Sequence, residues 1–327
     1  MKAVILAAGL GTRLRPLTQA WPKPAIPFLG QPLLRYTLAV LKQAGVTAVG
    51  LNTHHLPQVM EATARAEAQR AGLDVALVHE ANIQGTGGGI RGLREFVGED
   101  ETFVVFNGDI LFALDLRALL VRHQSSGAAA SMVLLPMPET EKYGAVEVDR
   151  RGFVQRIAGH GPGGEGLAPW HFSGVHLMSR RVWNAMSPSG PEDINREVYP
   201  RLMAQGERIC ALQGTGYWSD LGTPSRYLAT QQDALFGRIP WSAFPGAAPL
   251  ADAESLPGLP SARALSAKVD RGASVGSGVY VGARARVETG ARLERVAVLD
   301  DTHIAADEVL VEMIAWGEHR IPAPLAL

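Results

Sequence analysis

One stretch constrains the fold more than any other: Val4-Ile5-Leu6-Ala7-Ala8-Gly9-Leu10-Gly11-Thr12-Arg13-Leu14-Arg15-Pro16-Leu17-Thr18, closing with Trp21-Pro22-Lys23-Pro24. It begins as a short apolar run, the pattern of a strand buried on both faces. Gly9 and Gly11 then let the backbone turn tightly and approach a ligand that a Cβ would exclude. Free N–H groups in such a turn form a concave anion site suited to a polyphosphate. Arg13 and Arg15 follow at once, and Lys23 comes after a proline-stiffened stretch. This is the composition of a phosphate cradle.

Two commoner glycine motifs compete with that reading. A dinucleotide-binding fingerprint needs glycine or alanine where the chain has Leu14, and an acidic residue where it has Leu51-Asn52-Thr53. A P-loop needs Lys-Ser/Thr after its last glycine, whereas Gly11 is followed by Thr12-Arg13. A plain glycine turn with surface arginines is the third possibility, and the glycines alone leave it open.

Downstream, Pro32 near the start and Gly45 past the end bound an amphipathic helix. Val46 to Leu51 reads as a second strand, with Asn52-Thr53-His54-His55 at its C-terminal end, where open α/β sheets bind ligands. A helix to Ala71-Gly72 precedes the strand Val75 to Glu80. Gly85-Thr86-Gly87-Gly88-Gly89 opens the next helix and implies backbone in close approach to something. Phe103 to Asp109 is a buried strand ending in a carboxylate, a position suited to a hard divalent cation or to capping the next helix. Strand and helix alternate up to Leu135, which predicts a doubly wound, Rossmann-like, mostly parallel α/β sheet.

After Pro136 the pattern becomes a hairpin, with strands around Asp149-Arg150-Arg151, and His171 to His176 reads as a return strand. Tyr217-Trp218-Ser219-Asp220 places a second carboxylate before a helix. Residues 237–263 are rich in proline, alanine and glycine and read as a linker. Beyond them Val269, Val275, Val281, Val287, Leu293 and Leu299 recur every six residues, a hexapeptide repeat that stacks short strands into a left-handed parallel β-helix. The expected division is therefore 1–236, 237–263 and 264–327. Open ends of such a coil need a cap or a partner, which points to a homo-oligomer.

Gly9 to Thr18 with Pro22-Lys23-Pro24 resembles the signature of the sugar-1-phosphate nucleotidyltransferases, and the resemblance continues to about Leu235. It implies a GT-A-like fold, Mg²⁺ as cofactor, and a nucleoside triphosphate (GTP or UTP) and a sugar 1-phosphate as partners. By the same resemblance Leu6, Ala8, Gly9, Gly11, Thr12, Arg13, His54, Glu80, Gly85 and Gly88 would meet the nucleotide. Asn107, Tyr143, Gly144, His160 and Gly174 would meet the sugar phosphate. Asp109 and Asp220 would hold the metal, and Arg13, Lys23 and Asp109 would carry the chemistry. Ile194 to Pro200 is similar to a segment of the mannose-1-phosphate guanylyltransferases. Thr86-Gly87-Gly88-Gly89 and Phe172-Ser173-Gly174 are closer to the uridylyltransferases of N-acetylmuramate recycling. The chain departs from the family where Glu-Lys-Pro is common: Gly159 and His160 stand there, and imidazole carries charge only when protonated.

With 31 basic and 32 acidic residues the net charge is −1, which gives no electrostatic case for nucleic acid or an anionic membrane as partner. Cys210 is the only cysteine, so no intrachain disulfide forms. No apolar run approaches the roughly 20 residues of a membrane helix. A cleaved leader at the N-terminus would destroy the glycine motif, so the expected location is cytoplasmic. Two other functions fit the pattern less well. One is a nucleotide-sugar-sensing regulatory subunit without turnover. The other is an acyltransferase using His303 on a β-helix that is too short for it.

Overall fold

The apolar run at the N-terminus forms the central strand of the parallel half of the sheet. The structure, a computed structural model, describes residues 1–138, 144–249 and 253–325; the candidate Tyr143 lies outside them. The chain forms two compact units. The first comprises Met1–Leu10, Thr37–Gly108 and Leu114–Gly216; the second comprises Gly11–Tyr36, Asp109–Ala113 and Tyr217–Leu327.

A nine-stranded sheet organises the first unit. Its strands are β1 (Lys2–Leu6), β2 (Ala48–Thr53), β3 (Asp74–His79), β4 (Thr102–Asn107), β5 (Ala130–Leu135), β6 (Val146–Val148), β7 (Val154–Ile157), β8 (Ala168–Ser179) and β9 (Ile209–Gln213). In the order β4-β1-β2-β3 all neighbours are parallel, with Leu6 beside both Asn52 and Asn107. Ala3, Val4 and Ile5 are wholly buried, as a strand covered on both faces requires. From β1 the chain builds outward on one side through β2 and β3, then returns to the other side at β4. That reversal puts a crevice outside the C-terminal ends of β1 and β4, the place where open α/β sheets take ligands.

Helices of the expected type connect the strands. The helix Pro57–Ala71 starts on a proline and stops at Gly72, whose φ of 63° is left-handed. Leu116–Ser126 starts at Asp115, whose carboxylate accepts the Ala118 N–H.

The other half of the sheet carries its antiparallel part, where the hairpin and the return strand were expected. β8 runs antiparallel to β4, β5 and β6, and β9 runs parallel to β5, so the sheet is mixed. A register shift interrupts the β8–β5 ladder between Phe172 and His176. Gly174 sits within it at φ 91°, so the glycine there is explained by a bulge. The predicted hairpin forms as β6 and β7, closed by Asp149, whose Oδ1 accepts the N–H groups of Arg151 and Phe153.

In the second unit the six-residue repeat becomes parallel ladders. Ala262 pairs with Tyr280, Lys268 with Arg286 and Ser274 with Arg292. Three hexapeptides therefore make one coil, and each strand stacks on the strand three repeats later, consistent with a parallel β-helix. After Leu293 the coil loses one residue, since Tyr280 pairs with Ala297 and Arg286 with His303. Val281, Val287, Leu293 and Leu299 are buried inside. The helix Pro224–Leu235 packs on this coil: Gln232 Nε2 donates to Gly278 O at 2.9 Å and Gln231 Nε2 to Val296 O at 3.1 Å. Part of the expected linker is packed too, with Trp241 and Phe244 5.8 and 5.7 Å from the Tyr36 ring centroid.

Candidate active site

In the first unit the candidate residues gather where β1, β2 and β3 end. Asn52 is 3% exposed, and its side chain lies between two partners. Its Oδ1 accepts the Ala7 N–H at 2.8 Å, and its Nδ2 donates to Glu80 Oε1 at 2.7 Å. The second carboxylate oxygen of Glu80 accepts the Gln84 N–H at 2.9 Å. His54 Nδ1–H donates to the Glu80 carbonyl at 2.8 Å, because a carbonyl can only accept; this fixes the neutral ring's tautomer. Glu80 is thus engaged on both oxygens, and Asn52 is a site residue that the sequence did not single out. A polar residue at the end of a buried strand was the available signal.

The glycine-rich helix Gly85–Gly92 packs closely on protein. A Cβ on Gly85 would lie 2.5 Å from Glu192 O, on Gly87 2.8 Å from Glu192 Cγ, and on Gly89 2.5 Å from Asn52 Nδ2. The Glu192 carbonyl accepts the N–H groups of Gly87 and Gly88, while its buried carboxylate holds Arg91 and Arg201. Ala8 is buried and Gly9 exposed at the opening of the first loop.

The remaining candidates in this unit lie at the end of β4, beside Leu6, and at the hairpin. Asn107 ends β4, and the next residue, Gly108, donates its N–H to Leu6 O at 3.0 Å. Gly144 and His160 lie at the hairpin: Ala158 N–H donates to Ala145 O, and Ile157 and His160 exchange backbone hydrogen bonds in a tight exposed turn. Arg156, on the same hairpin, is held bidentately by Glu147 at 2.8 and 2.5 Å.

The second unit assembles the charged centre. Gly11 adopts φ 60°, and a Cβ there would lie 2.6 Å from Thr18 Cγ2 and 3.0 Å from Lys23 Cγ. Its carbonyl accepts from Thr18 Oγ1 at 2.9 Å and from the Leu14 N–H at 2.9 Å. Thr12 and Arg13 follow, both exposed. Asp109 precedes the strand Ile110–Phe112, which pairs antiparallel with Trp218–Asp220, and the Leu221 N–H donates to Asp109 O at 3.0 Å. That ladder brings the two predicted carboxylates side by side. Asp109 does not cap the following helix, since Asp115 does. Lys23 Nζ donates to Asp109 Oδ2 at 2.7 Å, and Arg226 closes on both oxygens of Asp220. Burial, followed by the charge of Asp109, pushes the Asp220 carboxyl above its ordinary range, against Arg13 and Lys23 pulling down. Arg226 was also missed in the sequence; its position six residues after Asp220, beyond the helix cap Thr223, was the only clue.

A nucleotidyl transferase sequence profile matches residues 2–235. The chain belongs to the nucleotidyl transferase family. Within it, the chain is 33% identical over 249 residues to a mannose-1-phosphate guanylyltransferase of Mycobacterium tuberculosis, covering 75% of this chain and 67% of that one. It is 32% identical over 259 residues to a UTP–glucose-1-phosphate uridylyltransferase of Synechocystis, covering 75% of this chain and 66% of that protein. A Xenopus laevis mannose-1-phosphate guanyltransferase beta-B is 32% identical over 236 residues, 70% of this chain and 63% of its own. The chain thus spans about two thirds or slightly less of these relatives. No helix among the described residues is long and apolar enough to cross a membrane.

Proposed function

We propose that the protein transfers a nucleotidyl group from a nucleoside triphosphate to a sugar 1-phosphate, giving an NDP-sugar and pyrophosphate. The observation that carries this reading is the clustering of Lys23, Asp109 and Asp220 next to the Gly11 turn. Both reactants are anions, so the protein has to position them and neutralise charge. The N–H groups of Gly9 to Thr12, together with Arg13, would hold the triphosphate. Lys23 would stabilise charge around the reacting phosphates. A phosphate oxygen of the sugar 1-phosphate attacks the α-phosphorus, and the bond to the pyrophosphate oxygen breaks. The attacking oxygen is already ionised, so no general base is required.

Asp109 and Asp220 suit Mg²⁺. Two hard carboxylates with mutually repelling charge form a cation site that substrate phosphates and water complete. With only two protein carboxylates, the remaining ligands would come from substrate phosphates and water. When bound, the cation would neutralise charge on both reacting phosphates. GTP or UTP with a hexose 1-phosphate is the substrate class, from the relatives' names. His160 would take part of the role of the missing Glu-Lys pair toward the sugar phosphate, with Asn107, Tyr143, Gly144 and Gly174 around the sugar. His54, Glu80, Gly85 and Gly88 would lie on the base side. Residues 1–236 would be catalytic, 237–263 a linker and 264–327 an assembly segment in a cytoplasmic homo-oligomer. A pyrophosphate-release assay over a grid of nucleoside triphosphates and hexose 1-phosphates tests this. Release with at least one pair supports it. Nucleotide binding without release from any pair would make the chain a regulatory relative instead.

A further inference from the structure

Ala7 and Gln84 are far apart in sequence, yet one pair of side chains holds both backbones. Asn52 Oδ1 takes the Ala7 N–H, Asn52 Nδ2 gives to Glu80 Oε1, and Glu80 Oε2 takes the Gln84 N–H. The direction of this chain is forced. A backbone N–H can only donate and an ionised carboxylate can only accept, so the Asn52 amide has one orientation. Ala7 opens the loop that carries Gly9, and Gln84 is the residue before the glycine-rich helix Gly85–Gly92. We infer that Asn52 and Glu80 are a positioning pair that presets the two nucleotide-facing backbones, with Glu80 acting through Gln84 rather than on the base. This rests on the function proposed above.

Three observations support it. Glu80 is 7% exposed and each of its oxygens accepts a protein hydrogen bond, so the carboxylate is buried and anchored at both ends rather than turned outward. His54 fastens the Glu80 backbone as well, which leaves the carboxylate little room to swing. Gly89 is the residue that makes space: a Cβ there would lie 2.5 Å from Asn52 Nδ2 and 3.2 Å from Glu80 Oε1. Gly89 therefore serves the pair, not flexibility.

The two members can be separated experimentally. Asn52→Ala removes the acceptor for Ala7. Glu80→Gln keeps one acceptor oxygen, so it can serve Asn52 or Gln84 but not both. Hydrogen–deuterium exchange on the full chain without nucleotide reads each amide directly. Asn52→Ala should speed exchange at Ala7 by about tenfold, and Glu80→Gln should speed exchange at one of Ala7 and Gln84 while sparing the other. Steady-state kinetics with GTP and UTP should then show a raised nucleotide KM in both variants. The sugar 1-phosphate KM should stay within about twofold, a split that general destabilisation would not produce. Unchanged exchange at Ala7 and Gln84 would overturn the positioning pair. So would faster exchange with an unchanged nucleotide KM. If the wild-type chain released no pyrophosphate, GTP and UTP affinities from calorimetry would replace KM, and the functional reading would fall separately from this one.

Discussion

Lys23 Nζ lies 2.7 Å from Asp109 Oδ2, and the Leu221 N–H binds the carbonyl of the same aspartate, one residue beyond Asp220. A lysine, two carboxylates and the Gly11 turn thereby share one site, and Arg226 holds the second carboxylate. The two cations balance the two carboxylates.

Asp109→Asn and Asp220→Asn should each lower turnover on the order of a hundredfold while the fold persists, because each removes a hard anionic ligand. The loss should be largest at limiting Mg²⁺. Turnover as a function of Mg²⁺ for the three proteins checks this, and wild-type rates in both variants would sink the metal assignment.

Gly11→Ala should raise the nucleotide KM and lower the melting temperature. The new methyl meets Thr18 and Lys23 at φ 60°, a conformation that costs a non-glycine residue about 1 kcal/mol before any clash. Gly9→Ala is the control, since a Cβ there has no heavy atom within 4 Å. Its melting temperature should stay near that of the wild type. Equal melting temperatures for Gly11→Ala and Gly9→Ala would contradict the steric argument.

The buried histidines make stability depend on pH. His176, hydrogen-bonded to Tyr199 at 2.7 Å, is lowered by burial to about 3, and His171 and His123, buried likewise, to about 4. Each favours the neutral ring in the folded state. Its stabilising contribution is complete above the ordinary value of 6.5 and is lost as pH falls from there toward the folded value. Melting temperature should therefore fall between pH 7 and pH 5, and fall less in His176→Gln. Parallel curves for the two proteins would show that His176 is not part of the cause.

Gln232→Ala should destabilise the chain by about 1 kcal/mol or more, because Gly278 O loses its best donor in a buried setting. Glycine at 278 exists to let that glutamine approach, since a Cβ would sit against its amide. Denaturant melts measure the change, and a midpoint equal to the wild type would refute the contact's role.

Chain order and residue type made much of this legible. The buried run of β1, the proline and glycine punctuation of the helices, and the six-residue repeat each reflect local geometry, so one sequence displays them. The pairing of Asp109 with Asp220 could only be expected through resemblance. The residues stand far apart in the chain, and a short antiparallel ladder, Ile110–Phe112 with Trp218–Asp220, is what brings them together.

Other features had no local trace. The antiparallel course of β8 follows from which edges were left open beside β4 and β5, not from its own alternation. The glycines of 85 to 89 looked made for a ligand, yet Gly85 and Gly87 lie against Glu192 and Gly89 against Asn52. By itself the sequence determined the strand that leads into a glycine turn and the repeat that stacks into coils, because both are periodic or contiguous. Only tertiary structure decided which oxygen each buried polar group would face. Asn52 with Glu80, and Arg226 with Asp220, owe their roles to hydrogen-bond satisfaction in space, which leaves no period in the chain.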